Sequence, residues 1–178
     1  MTARRQISFL LILLFALTSC QLFNVHPKLK SQKVVRDGRT MLYGKITPEQ
    51  LYFDYPEWKK EEESYRPQKD IIEKLRKIKG KTTVKIFIAT WCPDSKREVP
   101  HFLKIVRDAG LGHLLKIEMW AVDRKKQSPN DIAKTYKIER VPTFIFERNG
   151  KEIGRIVESP KSESLEKDMY LILSGGNS

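Results

Sequence analysis

A cysteine that follows directly after an apolar run is the first candidate for chemistry in this 178-residue chain. The apolar run covers residues 84–89, and the cysteine lies in the string Trp91-Cys92-Pro93-Asp94-Ser95. A thiolate is a strong nucleophile toward disulfides, and its formation is favoured beside a helix N-terminus or a cation. The sequence therefore indicates Cys92 as the candidate nucleophile.

The segments around Cys92 alternate between strand and helix patterns. Strands are predicted at residues 83–89, 114–122, 143–147 and 152–157, and helices at 68–79, 94–106, 128–136 and 165–172. Asn149-Gly150 is the turn signal of a β-hairpin. Upstream, residues 41–44 predict a short strand and Thr47-Pro48 predicts a helix start. This order predicts an α/β fold with a central mixed sheet and an N-terminal strand and helix extension.

The motifs resemble those of the thioredoxin family over residues 69–174. Trp91 matches the tryptophan before the family's reactive cysteine, Pro100 matches the proline that kinks its active-site helix, and Pro142 matches its cis-proline. The resemblance implies a thioredoxin fold, built from a βαβ unit, a β-hairpin and a C-terminal helix. It also implies a substrate groove lined by Trp91, Pro93, Asp94, Val141, Pro142 and Thr143.

Two positions depart from the family pattern. Ser95 stands where the family has its second cysteine, and Ile86 stands where many members bury an aspartate that assists proton transfer. Cys92 and Ser95 are then the catalytic pair, and we expect the Ser95 hydroxyl to hydrogen bond the Cys92 sulfur. Lys96 and Arg97 would add positive potential that favours the thiolate.

The departures narrow the expected chemistry to that of a lone thiol. Cys92 could form mixed disulfides with protein thiols, protein disulfides or glutathione-like thiols, and an external thiol would have to release them. The alternative is a non-catalytic binding or scaffold module, because a fold does not determine a function. Whether the protein is an enzyme stays open between these alternatives.

The start of the chain resembles a bacterial lipoprotein signal. Arg4 and Arg5 precede an apolar core at residues 9–17, and Leu17-Thr18-Ser19-Cys20 is similar to a lipobox. The resemblance implies removal of residues 1–19 and acylation of Cys20, which would tether the protein to a membrane. An ordinary secretory signal with an incidental cysteine is the alternative. Because Gln21 is not aspartate, we expect anchoring in the outer membrane facing the periplasm.

The remaining predictions concern domain boundaries and partners. Residues 20–40 are expected to form a lipidated flexible tether, 41–67 an extension that packs on the main domain, and 68–175 the thioredoxin-like domain. The net charge is +12, but acidic and basic residues are interleaved, which argues against nucleic acid as a partner. The cysteines and histidines lack metal-ligand spacing, so neither a metal nor another cofactor is expected.

Overall fold

The computed structural model describes residues 32–175, so Cys20 and the predicted signal segment lie outside the described residues. The strands are β1 (Lys33–Arg36), β2 (Arg39–Leu42), β3 (Gly44–Ile46), β4 (Thr82–Ile88), β5 (Leu115–Ala121), β6 (Thr143–Arg148) and β7 (Lys151–Val157). The helices are α1 (Pro48–Asp54), α2 (Glu57–Ser64), α3 (Lys69–Leu75), α4 (Pro93–Asp108), α5 (Ile132–Thr135) and α6 (Leu165–Ser174). Short 3-10 turns occupy Leu111–His113 and Pro129–Asp131.

Five of these strands form the central sheet, in the order β3-β5-β4-β6-β7. Strands β4 and β5 are parallel and are joined through α4, whereas β6 and β7 form an antiparallel hairpin. The hairpin turns at Asn149 and Gly150, which both have positive φ angles, as the sequence predicts. The βαβ unit followed by a β-hairpin and a closing helix confirms the predicted thioredoxin fold.

The alternation of side chains along β4 divides the core into two clusters. Val84, Ile86 and Ile88 belong to the larger cluster, under α4 and α6, whereas Phe87 belongs to a smaller cluster on the opposite face. Cys92 lies in this smaller cluster. Ile86 is fully buried, so the position of the family's aspartate is filled by an apolar side chain.

The segment before the main domain packs against α4. Thr47 caps α1 by accepting a hydrogen bond from the Gln50 N–H at 3.1 Å. Trp58 of α2 is 1% exposed, and α2 lies along α4. The ring of Tyr65 stacks on the imidazole of His101 in α4, with 3.8 Å between ring centroids. Aromatic packing therefore holds this segment against α4, the helix that begins directly after Cys92.

The structure differs from the sequence prediction at residues 33–40, which we expected to belong to a flexible tether. Strands β1 and β2 form an antiparallel hairpin that turns at Asp37 and Gly38, with φ angles of 49° and 70°. Two consecutive residues with positive φ match the natural twist of paired strands, and an Asp-Gly pair adopts them readily. Regular secondary structure is thus present upstream of residue 41.

Across residues 32–175, we find no helix with both the length and the apolar character needed to span a bilayer.

Candidate active site

Cys92 occupies the junction between β4 and α4. Its N–H donates to the Ala89 carbonyl at 3.0 Å, and its own carbonyl accepts the first helical hydrogen bond, from the Lys96 N–H at 3.1 Å. The helix begins at Pro93, whose restricted φ and missing N–H suit the first helical position. Cys92 is therefore the N-cap residue of a 16-residue helix.

The thiol of Cys92 faces the loop that precedes β6. Its Sγ donates a hydrogen bond to the Val141 carbonyl oxygen at 3.1 Å, and the residue is 7% exposed. The peptide bond between Val141 and Pro142 is cis, as the sequence predicts. Thr143 Oγ1 donates to the Arg140 carbonyl at 2.7 Å and closes the turn around this bond. The two halves of the predicted site are thus in direct contact.

Two local effects act on the Cys92 sulfur in opposite directions. The unpaired N–H groups at the start of α4 favour a negatively charged sulfur. The Val141 carbonyl accepts a hydrogen bond that only the protonated form of the Cys92 thiol can donate. A ligand that takes this carbonyl as its own acceptor would leave only the first effect.

Arg97 does not supply the positive potential that the sequence indicated. Its guanidinium binds Asp94 at 2.8 Å and Glu98 at 2.7 Å, so two carboxylates engage its charge. The hydrogen bond to Glu98 is the largest cause that raises the pKa of Arg97 above its usual value. Lys96 is exposed at the start of the same helix.

Ser95 is fully buried, but its oxygen has a different partner from the one we expected. Ser95 Oγ accepts a hydrogen bond from the Ala89 N–H at 3.2 Å. The reason is geometric, because a side chain in the first turn of a helix points back toward the helix N-terminus. There the Ser95 hydroxyl meets the Ala89 N–H, which lies just beyond the end of β4. Ser95 therefore fixes the junction between β4 and the loop that holds Cys92.

Trp91 borders the site on the side of the loop that follows β5. The Arg124 guanidinium lies over the Trp91 ring, 5.0 Å from its centroid. The Trp91 Nε1 atom is buried without a hydrogen-bond partner in the described part of the chain. Pro93 is exposed and Asp94 is half-buried, so both lie at the rim.

Several residues of this site were missed in the sequence. Besides Arg124, these are Thr90, which accepts a hydrogen bond from the Leu42 N–H at 3.3 Å, and Asp123, which binds Arg36 at 3.1 Å. Both contacts place the β1–β2 hairpin beside the Cys92 loop. One signal was available for Arg124 and Asp123, because loops that follow neighbouring parallel strands meet at the same edge of a sheet.

The other polar groups considered from sequence lie away from the thiol. His101 packs on Tyr65, and its Nε2 lies 3.1 Å from Glu61 Oε1. Within residues 32–175, no three His, Cys, Asp or Glu side chains are arranged to hold a metal ion. Cys92 is the free cysteine of the described chain.

These features define a class of protein: a thioredoxin fold with a cysteine at a helix N-terminus, beside a cis-proline. Comparison with known proteins agrees, since the thioredoxin family model matches residues 66–170. The chain belongs to the thioredoxin family, whose members carry out thiol–disulfide redox chemistry.

The chain is similar to thioredoxins from several organisms. It is 33% identical over 92 residues to Thioredoxin H2-1 of Oryza sativa subsp. japonica, covering 52% of this chain and 61% of the rice protein. It is 33% identical over 97 residues to a Thioredoxin H-type of Fagopyrum esculentum, covering 53% of this chain and 78% of that protein. The alignment thus spans less than two thirds of the rice relative.

Among solved structures, the oxidised mitochondrial thioredoxin 3 of Saccharomyces cerevisiae is 27% identical, with a TM-score of 0.33. The match covers 49% of this chain and 74% of the yeast chain.

Proposed function

We propose that the protein performs monothiol thiol–disulfide exchange, with Cys92 forming mixed disulfides with protein or small thiol partners. The observation that carries this proposal is the position of the Cys92 sulfur at the N-terminus of α4, 3.1 Å from the carbonyl oxygen that precedes the cis peptide bond. Membership of the thioredoxin family supports it.

The reaction proceeds in two exchange steps. The Cys92 thiolate attacks one sulfur of a partner disulfide, so a new S–S bond forms as the partner's S–S bond breaks, and the displaced sulfur leaves as a thiolate. An external thiolate then attacks the partner's sulfur in the mixed disulfide. Cys92 returns as a thiolate, and the external thiol ends in a disulfide with the partner. Ser95 has no thiol, so the second step depends on that external thiol.

Substrate binding activates the thiol in this proposal. An extended substrate that pairs with the Val141 backbone donates an N–H to the Val141 carbonyl and so displaces the bond from Cys92 Sγ. The sulfur loses the acceptor that favours its neutral form and keeps the helix N-terminus that favours its anion. Binding and reactivity are therefore coupled through one carbonyl oxygen.

The test measures mixed-disulfide formation on Cys92. Purified protein is mixed with glutathione disulfide, and the rate of adduct formation is followed by mass spectrometry, beside a urea-denatured sample and a Cys92→Ser variant. We expect the folded protein to react much faster than the denatured sample and the variant not to react. Equal rates in the folded and denatured samples would sink the proposal.

The second candidate function is a binding module without redox chemistry. One observation favours it: Cys92 is only 7% exposed, and its sulfur already has a hydrogen-bond partner inside the protein. A module of this kind would bind its partner equally well after Cys92→Ser. Loss of partner capture in that variant would favour exchange instead.

We also propose that the protein is tethered to a membrane through acylated Cys20, in the bacterial cell envelope and on the outer membrane facing the periplasm. The support is the similarity of Leu17-Thr18-Ser19-Cys20 to a lipobox. Accumulation of the precursor in the presence of globomycin is the expected result. A mature protein that stays in the aqueous phase and begins after Cys20 would contradict the tether.

A further inference from the structure

We propose that a lysine-lined cavity beside the Cys92 loop binds an acidic stretch of the substrate polypeptide, so that the preferred partner of Cys92 is an acidic protein. The inference rests on the exchange function proposed above and names the class of its substrate. The charge, the backbone conformation and the position of this cavity support it.

The cavity lies between the turn that follows β5 and the helix α5, and its volume is about 410 Å³. Its lining is mainly cationic, because four of its side chains are lysines and two are carboxylates. These residues are Lys125, Lys126, Lys134, Lys137, Asp131 and Glu139. Ammonium groups gathered around one concave surface repel each other and concentrate anions from solution.

The four lysines have no carboxylate partner inside the part of the protein that the structure describes. Elsewhere in that part, lysines do find one: Lys116 binds Glu118 at 2.6 Å, and Lys59 binds Glu62 at 3.0 Å. Lys125, Lys126, Lys134 and Lys137 form no such ion pair within residues 32–175. Their charges are therefore available to an anionic ligand.

Two of these lysines adopt a conformation that usually belongs to glycine or asparagine. Lys126 has a φ angle of 56° and Lys137 one of 52°. A residue with a Cβ atom is disfavoured in this left-handed region, and such strain is concentrated at functional sites. The backbone at both positions thus disfavours lysine. A role of the lysine charge in binding explains why lysine is found there.

Two connections link the lining of the cavity to the Cys92 site. Ile138 lines the cavity and belongs to the same apolar cluster as Cys92. At the other end of the loop, Arg124 precedes Lys125 and lies 5.0 Å from the Trp91 ring centroid. A polypeptide that crosses Val141 with its disulfide at Cys92 would therefore pass the lysines. An acidic segment of this polypeptide would be attracted by the lysine charges, while the backbone beside it pairs with Val141.

The test uses two synthetic peptides with the same central cysteine, joined in a disulfide to 2-mercaptoethanol. One peptide has aspartate and glutamate around the cysteine, and the other has asparagine and glutamine. At low ionic strength we expect the acidic peptide to form the mixed disulfide with Cys92 roughly tenfold faster. This advantage should shrink as salt is added.

Two double variants test whether the cavity lysines cause the rate advantage of the acidic peptide. Lys134→Gln with Lys137→Gln should remove most of the advantage of the acidic peptide. Lys77→Gln with Lys81→Gln, which changes two exposed lysines at the far end of the sheet, should leave it intact. Hydroxyethyl disulfide, which is neutral and small, should react equally with all three proteins.

Two results would overturn the inference: equal rates for the two peptides, or an equal loss of the acidic peptide's advantage in both double variants. The hydroxyethyl disulfide arm separates this failure from failure of the exchange function. If that reagent labels Cys92 rapidly while the peptides do not differ, exchange stands and the acidic partner is wrong.

Discussion

The Sγ atom of Cys92 donates a hydrogen bond to the carbonyl oxygen of Val141 at 3.1 Å, across 49 residues of sequence. This contact joins the Cys92 sulfur to the backbone that precedes the cis-proline. It gives the thiol an internal acceptor at the place where the proposed substrate would pair. In the proposed exchange reaction, the reactivity of Cys92 and the occupancy of the groove are therefore linked.

Replacing Ser95 by cysteine should create a two-thiol site. Ser95 is fully buried one turn after Cys92, so a sulfur at this position would lie behind the mixed disulfide and could attack it. We expect Ser95→Cys to reduce a model protein disulfide with dithiothreitol as electron donor, whereas the unmodified protein does so weakly. Ser95→Cys combined with Cys92→Ser is the control. An inactive Ser95→Cys protein with native circular dichroism would contradict the loop geometry.

Replacing Ser95 by alanine should reduce stability. The change removes the acceptor of the buried Ala89 N–H, and an unsatisfied buried donor costs about 1–3 kcal/mol. Urea denaturation measures the loss. Ser64→Ala is the matched control, because the Ser64 hydroxyl is exposed and donates to the Glu61 carbonyl at 2.9 Å. A loss no larger than that of the control would show that Ala89 finds another partner.

Replacing Arg36 by glutamine should loosen the β1–β2 hairpin. Arg36 binds Asp123, whose side chain is 2% exposed, but the arginine side chain is itself 37% exposed. We therefore expect a loss of about 1–2 kcal/mol, below the 3–5 kcal/mol of a fully buried pair. Hydrogen exchange should rise in residues 33–42 and stay unchanged in β4. Arg39→Gln, an exposed change on the same hairpin, is the control, and an equal effect there would refute the role of Asp123.

His101 should make the protein less stable as the pH falls. Burial lowers the pKa of His101 below its usual 6.5, and the hydrogen bond with Glu61 opposes this shift. The folded state therefore keeps the imidazole neutral, while the unfolded chain takes up a proton near pH 6.5. This contribution to stability is complete above that pH and is lost as the pH falls below it.

The measurement for His101 is the free energy of unfolding between pH 7.5 and 5.5. Its decrease should be smaller in His101→Phe, which keeps a ring against Tyr65 but does not titrate. His113→Phe changes an exposed histidine and should keep the wild-type decrease. An unchanged pH dependence in His101→Phe would show that other groups cause it.

Replacing Gly154 by alanine should destabilise the contact between β7 and α6. A Cβ atom at this position would lie 2.9 Å from Ile172 Cγ1, and overpacking of this kind costs about 1–3 kcal/mol. Urea denaturation should show the loss, and adding Ile172→Val should recover part of it. Gly112→Ala is the control, since a Cβ atom there meets nothing within 4 Å. A neutral Gly154→Ala would mean that α6 shifts freely.

Most of the main domain follows from local sequence patterns. The predicted strand at 83–89 is observed at Thr82–Ile88, and the predicted hairpin turn is observed at Asn149 and Gly150. These elements are strongly patterned, so periodicity and turn chemistry place them without knowledge of their neighbours. The β1–β2 hairpin was missed although Asp37-Gly38 is a comparable turn signal, because its strands are only four residues long and mostly exposed.

The candidate site was predicted in its residues but not in its contacts. Cys92, Val141 and Pro142 were indicated by their motifs, and the structure brings them together. The partner of Ser95 was expected to be Cys92 and is Ala89 instead. The position of a hydroxyl within a helix turn depends on where the preceding strand ends, and a motif does not contain that information.

The sequence by itself indicates the candidate site: a cysteine at a helix start, a serine in place of a second thiol, and a proline that precedes a strand. Only the folded chain establishes that the cysteine donates to Val141, that Arg36 reaches Asp123 and that four lysines share one cavity. The physical reason is the separation along the sequence between the residues that interact. Turns, caps and helix starts depend on neighbours within a few residues, whereas these contacts exist only after sheet pairing and helix packing bring distant loops to one edge.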